Sequence, residues 1–286
     1  MKNLKKNDII QNGIFILIRM LSFSVILFLL FILGYIIKSG FSALSWEFIT
    51  EMPRDEMTKG GIFPAIVGTF YLMVGASVVS IPVGIITAIY LTEYAASPRV
   101  VKIIRLGINN LAGVPSVVFG LFGLSLFVVF FNFGTSILAG SLTLGVLNLP
   151  VIIRSTEEAL MVVPMTYREA SLSLGATKWQ TIHKIVIPNA LPGILTGVML
   201  SLGRAAGETA PIMFTAAAFF SPDLATSVYD EIMALPYHIY VLATAGTHIQ
   251  ETRPLQYGTA IVLIALVLLL NMTALIMRSR FRNRMQ

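Results

Sequence analysis

The composition of this 286-residue chain excludes a soluble globular domain: 56% of its residues are hydrophobic and 12% are charged, against about 25% charged residues in soluble domains. It has a net charge of +6 and no cysteine, which excludes disulfides, thiolate chemistry and cysteine-ligated metals. A basic balance can indicate nucleic-acid binding, but here the cations stand beside apolar runs, as in the cytoplasmic loops of membrane proteins. The composition therefore predicts an all-α, polytopic membrane protein that binds no nucleic acid.

The first apolar run extends from about Ile14 to Ile37 and follows a lysine-rich start. It is longer than the roughly 7–15 apolar residues of a signal-peptide core and lacks a clear cleavage site, so we expect it to remain as a transmembrane helix. The positive-inside rule places its start in the cytoplasm. Residues 38–63 then lie outside, either as a surface for an external partner or as a solvated connector.

Further apolar runs predict five more transmembrane helices, separated by segments whose charge alternates with membrane side. The apolar patch at 233–245 is too short for the roughly 20 residues that a bilayer requires, so we expect an interfacial or re-entrant segment there. The arginines after residue 277 then fall in the cytoplasm. The prediction is six spans with both termini cytoplasmic, the later five at 64–91, 110–131, 136–153, 190–218 and 257–277.

A polar insert between the fourth and fifth spans predicts two short helices bent at a glycine. Thr166 and Glu169 have capping-box spacing, and Gly175 is expected to end the helix that they begin. A second box begins at Thr177, and Pro188 is expected to end the second helix. The parity of the spans places this insert in the cytoplasm.

Seven residues of the same insert stand at a characteristic spacing: Glu169, Ala170, Ser171, Gly175, Ile185, Ile187 and Pro188. They resemble the EAA signature of bacterial ABC importer permeases, which is Glu-Ala-Ala, three residues, Gly, nine residues, Ile, one residue, Leu-Pro. In this chain Ser171 stands in place of Ala and Ile187 in place of Leu. In that family the bent helix pair sits in a groove on a separate ATPase subunit and carries its closure into the membrane. The resemblance implies this coupling role for helices 166–188. The alternative is that the glutamate only caps a helix and the glycine only ends one; a DNA-binding helix-turn-helix is disfavoured by the membrane setting.

Two charged residues, Arg204 and Glu208, fall within the fifth predicted span, where insertion scales assign a penalty of about 2.5–3.5 kcal/mol to a single Arg or Asp. Four residues apart, they can pair on one helix face, and Gly203 and Gly207 predict a small-residue edge for close helix packing. One interpretation is a structural ion pair. The other places Arg204 on a water-filled pathway, where its planar fork suits tetrahedral oxyanions and Glu208 holds its orientation.

The run from Gly203 to Ala216, the LPYHIY segment at Leu235 and the YGTA segment at Tyr257 resemble the PstA-type permeases of phosphate importers. The resemblance implies a type-1 ABC importer permease fold in a bacterial inner membrane, paired with a PstC-type permease, a PstB-type ATPase dimer and an external phosphate-binding protein. It also implies pathway roles for Arg204, Glu208 and Arg154, although an arginine at a helix end can simply snorkel. The implied division is residues 1–63 for the first helix and external loop, 64–279 for the permease domain and 280–286 for a cytoplasmic tail.

The chain lacks a G-x-x-x-x-G-K-[ST] phosphate loop, so we expect ATP and Mg to bind the partner ATPase and no cofactor to bind this chain. Its three histidines are scattered, and we find no enzyme site. The remaining alternatives are a permease for sulfate or molybdate, a membrane scaffold that docks an ATPase without transport, and an intramembrane enzyme.

Overall fold

The computed structural model describes residues 2–221, 223–245 and 249–283, and most of these residues are helical. Three π-helical segments, at Tyr90–Tyr94, Leu124–Phe130 and Ile182–Val186, continue α-helices, and two short 3-10 turns, at Phe41–Ala43 and Asp55–Met57, lie near the first loop. The α-helices are α1 Lys2–Gly40, α2 Trp46–Thr50, α3 Phe63–Ile89, α4 Pro98–Ala112, α5 Ser116–Gly123, α6 Ile137–Val162, α7 Met165–Ser173, α8 Lys178–Thr181, α9 Ile187–Gly207, α10 Ala210–Met213, α11 Leu235–Thr244 and α12 Ile249–Asn283. The strands are β1 Pro53–Arg54 and β2 Lys59–Gly60, an antiparallel pair in which Pro53 faces Gly60.

Within the described residues, five continuous helical stretches are long and apolar enough to cross a bilayer, and one bent helix pair brings the number to six if it counts as one span. This agrees with the six predicted transmembrane helices. Mean hydropathy is highest, at 2.7 and 2.8, in the first and last stretches, and no residue in the most apolar segment of either stretch is fully buried. The stretches are Gln11–Ala43, Phe63–Tyr94, Ile137–Val162, Lys178–Gly207 and Thr252–Arg280, with Pro98–Ala112 and Ser116–Phe130 as the bent pair.

The predicted third span, 110–131, was wrong in its boundaries. Helix α4 ends at Ala112, and α5 leaves Pro115 at an angle of 100° to it. The physical reason is the sequence Gly113–Val114–Pro115: a proline cannot donate the next helical hydrogen bond, and it disfavours helical backbone in the residue before it. The span after Pro115 is therefore short, and the amphipathic helix α4 precedes it at a steep angle.

Helix α6 lies at the centre of the bundle, and 67% of the residues in its most apolar segment are buried. It packs against α3 and α9, and glycines bring the backbones together. A Cβ at Gly84 would lie 2.6 Å from Ile152, and one at Gly193 would lie 2.7 Å from the Ala159 methyl group. A Cβ at Gly197 would overlap both side-chain atoms of Ser155. The small-residue edge of α9 that packs against α6 is thus Gly193 and Gly197.

The fifth span also differs from its prediction. Helix α9 ends at Gly207 rather than near 218, and Glu208 is extended at its C-cap. Within the described chain, the predicted packing edge at Gly203 and Gly207 makes no close approach: a Cβ at Gly203 would make ordinary contacts of 3.6–3.7 Å with Asn271 and Val267 on α12, and one at Gly207 would meet nothing within 4 Å. The break places Glu208 at a helix terminus and not in mid-span.

The segments outside the bundle core pack at its edges. Helix α11 has ten residues, as expected for a segment too short to span, and buries Leu235, Val241 and Leu242 in an apolar cluster with α2 and α3. Helix α1 lies against α12, where Tyr35 and Tyr257 meet edge to face with ring centroids 5.6 Å apart. The first helix therefore joins the bundle through the last.

Candidate functional site

The first helix of the polar insert is α7. It begins at Met165 with Pro164 as its N-cap, so the predicted capping box at Thr166 and Glu169 was wrong. Proline is well suited to a helix start because its fixed φ and missing N–H have no penalty there. The helix is one residue longer at its start than the sequence pattern predicts.

Gly175 ends α7, as predicted. Its φ is +84°, in the left-handed region that glycine enters without a steric penalty. Its N–H donates to Leu172 O at 3.0 Å, and the Ala176 N–H donates to Ser171 O at 3.2 Å. This pair of bonds is a Schellman motif, which satisfies carbonyls that the helix end leaves free.

The second capping box is confirmed: Gln180 N donates to Thr177 Oγ1 and Thr177 N donates to Gln180 Oε1. The predicted helix end at Pro188 was wrong, because the helix continues from Lys178 to Gly207. A π-helical turn at Ile182–Val186 precedes the proline, and this wider turn accommodates a residue that lacks an N–H. The second helix of the insert is therefore the start of a transmembrane helix.

The motif residues divide between an exposed face and a buried contact. Glu169, Ala170 and Gly175 are exposed, while Ile185 and Pro188 are half-buried. Ser171 is buried and its hydroxyl lies 2.9 Å from Thr181 Oγ1. Serine in place of alanine thus ties the two helices of the pair together.

A concave apolar surface of about 350 Å³ lies between the two helices of the insert, lined by Tyr167, Ala170, Ser171, Leu174, Ala176 and Ile185. Leu174 at its edge is 89% exposed. Among the described residues, the Glu169 carboxylate beside it has no hydrogen-bond or ion-pair partner. An open apolar surface with a free charge at its edge is suited to contact another protein.

Sequence reasoning missed the most connected side chain of this region, Arg168. Its guanidinium pairs with Glu93 at 2.8 Å and donates to the carbonyls of Leu160 and Val163. The two charged residues are 75 positions apart. The signal in the sequence is slight: an arginine next to a motif glutamate, and a lone acid, Glu93, after the second span.

Arg204 and Glu208 form the predicted ion pair, with Nε 3.0 Å from Oε1. The Arg204 side chain is 45% exposed and that of Glu208 is 14% exposed. Among the described residues, neither terminal nitrogen of this guanidinium has a hydrogen-bond partner. These two nitrogens can therefore donate to an anion.

Arg154 does not end a helix, because α6 continues to Val162. Its Nη1 donates to Asn109 Oδ1 on α4, and Arg105 of the same helix pairs with Glu157 at 3.0 Å. These residues line a cavity of about 150 Å³. Arg154 is next to Ser155, which faces Gly197 on α9. Arg204 lies seven residues after Gly197 on the same helix, about 10 Å further along the bundle. The structure therefore keeps the two arginines at different depths.

Residues 80–286 match the family described as binding-protein-dependent transport system inner membrane component. The chain belongs to this family. The permease is 36% identical over 252 residues to a probable ABC transporter permease protein, YqgI, of Bacillus subtilis, covering 84% of this chain and 85% of that protein. It is 37% identical over 255 residues to the phosphate transport system permease protein PstA 1 of Mycobacterium tuberculosis, with 87% and 82% covered.

Solved structures support the same fold. A permease of a bacterial ABC transporter that imports the acidic polysaccharide alginate superposes with a TM-score of 0.66 at 17% identity, covering 93% of this chain and 96% of that one. The MetNI methionine ABC transporter gives 0.57 at 20% identity, with 77% and 94% covered. The prediction of a PstA-type permease with a type-1 importer fold is confirmed.

As a component of this family, the permease is a multi-pass protein of the bacterial plasma membrane and a transport subunit rather than an enzyme. Importers of this class combine a permease with an ATPase and a binding protein, so the chain works with partners of these two kinds.

Proposed function

We propose that this permease forms half of the transmembrane pathway of an ATP-driven phosphate importer. The observation that carries the proposal is the Arg204–Glu208 pair, a half-exposed guanidinium whose Nε is engaged and whose two terminal nitrogens have no hydrogen-bond partner in the described part of the chain. The PstA names of several relatives supply the substrate class.

The chemistry of the pair suits transient contact with phosphate. Two parallel N–H groups of a guanidinium match two oxygens of a tetrahedral oxyanion. Glu208 keeps Nε occupied and offsets part of the positive charge, so an anion binds weakly enough to be released. Arg154, about 10 Å along the bundle, is proposed as a second contact nearer the coupling helices.

The partners in this proposal are a PstC-type permease, a pair of PstB-type ATPase subunits and an external phosphate-binding protein. The ATPase binds the coupling helices at Glu169, Ala170, Ser171, Gly175, Ile185 and Pro188. ATP and Mg bind to that ATPase, and this chain holds no cofactor. Both termini and the coupling helices are proposed to be cytoplasmic, since cations concentrate on that side of the predicted topology.

Transport then follows alternating access. Closure of the ATPase dimer displaces the coupling helices, the membrane helices reorient, and phosphate delivered from outside passes Arg204. The continuous helix Lys178–Gly207 supports this step, because it carries an ATPase contact at one end and Arg204 at the other.

The test is uptake of labelled phosphate by cells that lack their own importer and express the partner subunits with this chain. Excess unlabelled phosphate should abolish uptake, whereas sulfate and molybdate should not. A partner ATPase without catalytic activity is the control for ATP dependence. Uptake that sulfate or molybdate suppresses would assign another oxyanion, and assembly with no uptake of any of them would favour a docking scaffold.

A further inference from the structure

A buried arginine connects the coupling helices to two membrane helices. Arg168 stands on α7 next to the exposed Glu169, but only 13% of its side chain is exposed. It donates to Glu93 Oε1 from Nη2 at 2.8 Å and from Nε at 3.3 Å. Glu93 is 10% exposed and lies in the π-helical turn that continues α3. Two charges that are largely withheld from water thus meet at the end of the second span.

The same guanidinium also contacts the end of α6. Nη1 donates to Val163 O at 2.6 Å and Nη2 donates to Leu160 O at 2.9 Å. The last carbonyls of a helix have no partner within it, and a cation there is favoured by the helix dipole. A single side chain therefore joins α7 to the ends of both α3 and α6.

The two coupling helices are attached to the bundle in different ways. Helix α8 needs no side-chain link, because Lys178–Gly207 is one continuous helical stretch into the membrane. Helix α7 follows α6 through Val163 and Pro164, and both have extended ψ angles, 122° and 141°. A connection of this kind can act as a hinge, since a few terminal residues suffice to absorb a rotation. The position of α7 therefore depends on its side chains.

We propose that Arg168 is a positioning residue that makes α7 move as one body with the ends of α3 and α6. The proposal rests on the coupling role of α7 given above. A push on the exposed face of α7 is then transmitted through the Arg168 fork to two spans, while α8 transmits it along the backbone to the span that carries Arg204. Lysine has a single ammonium group and cannot make this planar three-way contact.

The test uses the double variant Glu93→Gln with Arg168→Gln, which removes both charges and so leaves no unpaired buried ion. The assembled complex is reconstituted in liposomes with the binding protein, and phosphate import and ATP hydrolysis are measured together. We expect normal co-purification with the ATPase, retained hydrolysis, and at least a tenfold fall in phosphate imported per ATP. Arg168→Lys should recover only part of this ratio. The matched control is Arg99→Gln, an exposed arginine with no hydrogen bond among the described residues, and it should be unchanged.

A second measurement needs no transported substrate. Because the chain has no cysteine, spin labels can be placed at Ser173→Cys on α7 and Ile86→Cys on α3, both exposed, in a complex that still binds its ATPase. We expect one narrow distance distribution in the otherwise native chain and a broad one in the double variant. A native import ratio or a narrow distribution in the double variant would overturn the proposal. If the unmodified complex imports no phosphate, the proposed substrate fails, and the distance distributions still decide the role of Arg168.

Discussion

The substitution Gly197→Ala tests the packing of α9 on α6. The new methyl group would overlap Ser155 Oγ and Cβ. Overpacking a tight site is destabilising by roughly 1–3 kcal/mol, and overlap with two atoms, one of them fixed to the backbone, belongs at the upper end. Alanine regains about 1 kcal/mol of helix propensity over glycine. The net loss should be about 2 kcal/mol, a factor of roughly 30 in the ratio of folded to unfolded chain.

Gly203→Ala is the matched control on the same helix. Its methyl group would meet Asn271 and Val267 at 3.6–3.7 Å, which is ordinary contact, so only the propensity gain remains and the chain should be stabilised by up to about 1 kcal/mol. The two substitutions should therefore have opposite signs. Adding Ser155→Gly to Gly197→Ala removes both overlapping atoms and should restore stability to within about 1 kcal/mol of the native chain.

The assay is unfolding of the purified chain in mixed micelles by increasing fractions of denaturing detergent, followed by far-UV circular dichroism. Equal stabilities for the Gly197 and Gly203 variants would refute the assignment of the packing edge. Failure of Ser155→Gly to rescue would show that the strain lies elsewhere in the bundle.

Gly175→Ala should destabilise the last turn of α7 by about 1 kcal/mol, because the φ of +84° at this position is strained for any residue with a Cβ. The backbone amides of that turn should then exchange hydrogen several-fold faster. The control Gly107→Ala, in an open helical position of α4, should slow amide exchange around it, and equal effects of the two substitutions would contradict the argument. At the loop before α11, the N–H groups of Ser227 and Thr226 donate to Asp230 and lower the pKa of that carboxyl. A lowered folded-state pKa means that the stabilisation is present above the unfolded pKa and is lost as pH falls through the folded value. The amides of this loop should therefore lose protection from hydrogen exchange at low pH, and Asp230→Asn should remove this dependence on pH. A variant whose loop amides are equally sensitive to acid would contradict the assignment.

Helix ends could be predicted from the sequence where they depend on neighbouring residues. Gly175 and the box at Thr177 were predicted correctly, because a helix end needs a left-handed residue and a helix start needs a side-chain acceptor. The box at Thr166 failed because Pro164 begins the helix earlier. The number of spans followed from apolar length alone.

Features that depend on tertiary contacts were not predictable. The Arg168–Glu93 pair joins residues that only the fold brings together, and no periodicity indicates it. Glycines at 193, 197, 203 and 207 are equivalent in the sequence, and only the approach of α6 distinguishes the first two. The end of α9 at Gly207 was missed because the apolar run continues without a proline until residue 211, while the chain already turns at Glu208.

Arg204 is proposed to contact phosphate on the transport pathway. The most direct measurement compares labelled-phosphate uptake by complexes that contain the native chain, Arg204→Gln or Arg204→Lys, with assembly verified by co-purification with the ATPase. We expect the Gln variant to assemble normally and lose at least nine-tenths of uptake, because the anion contact is gone, and the Lys variant to retain part of it, because a point charge replaces the fork. Native uptake by a fully assembled Arg204→Gln complex would contradict the claim and would assign the arginine to helix packing.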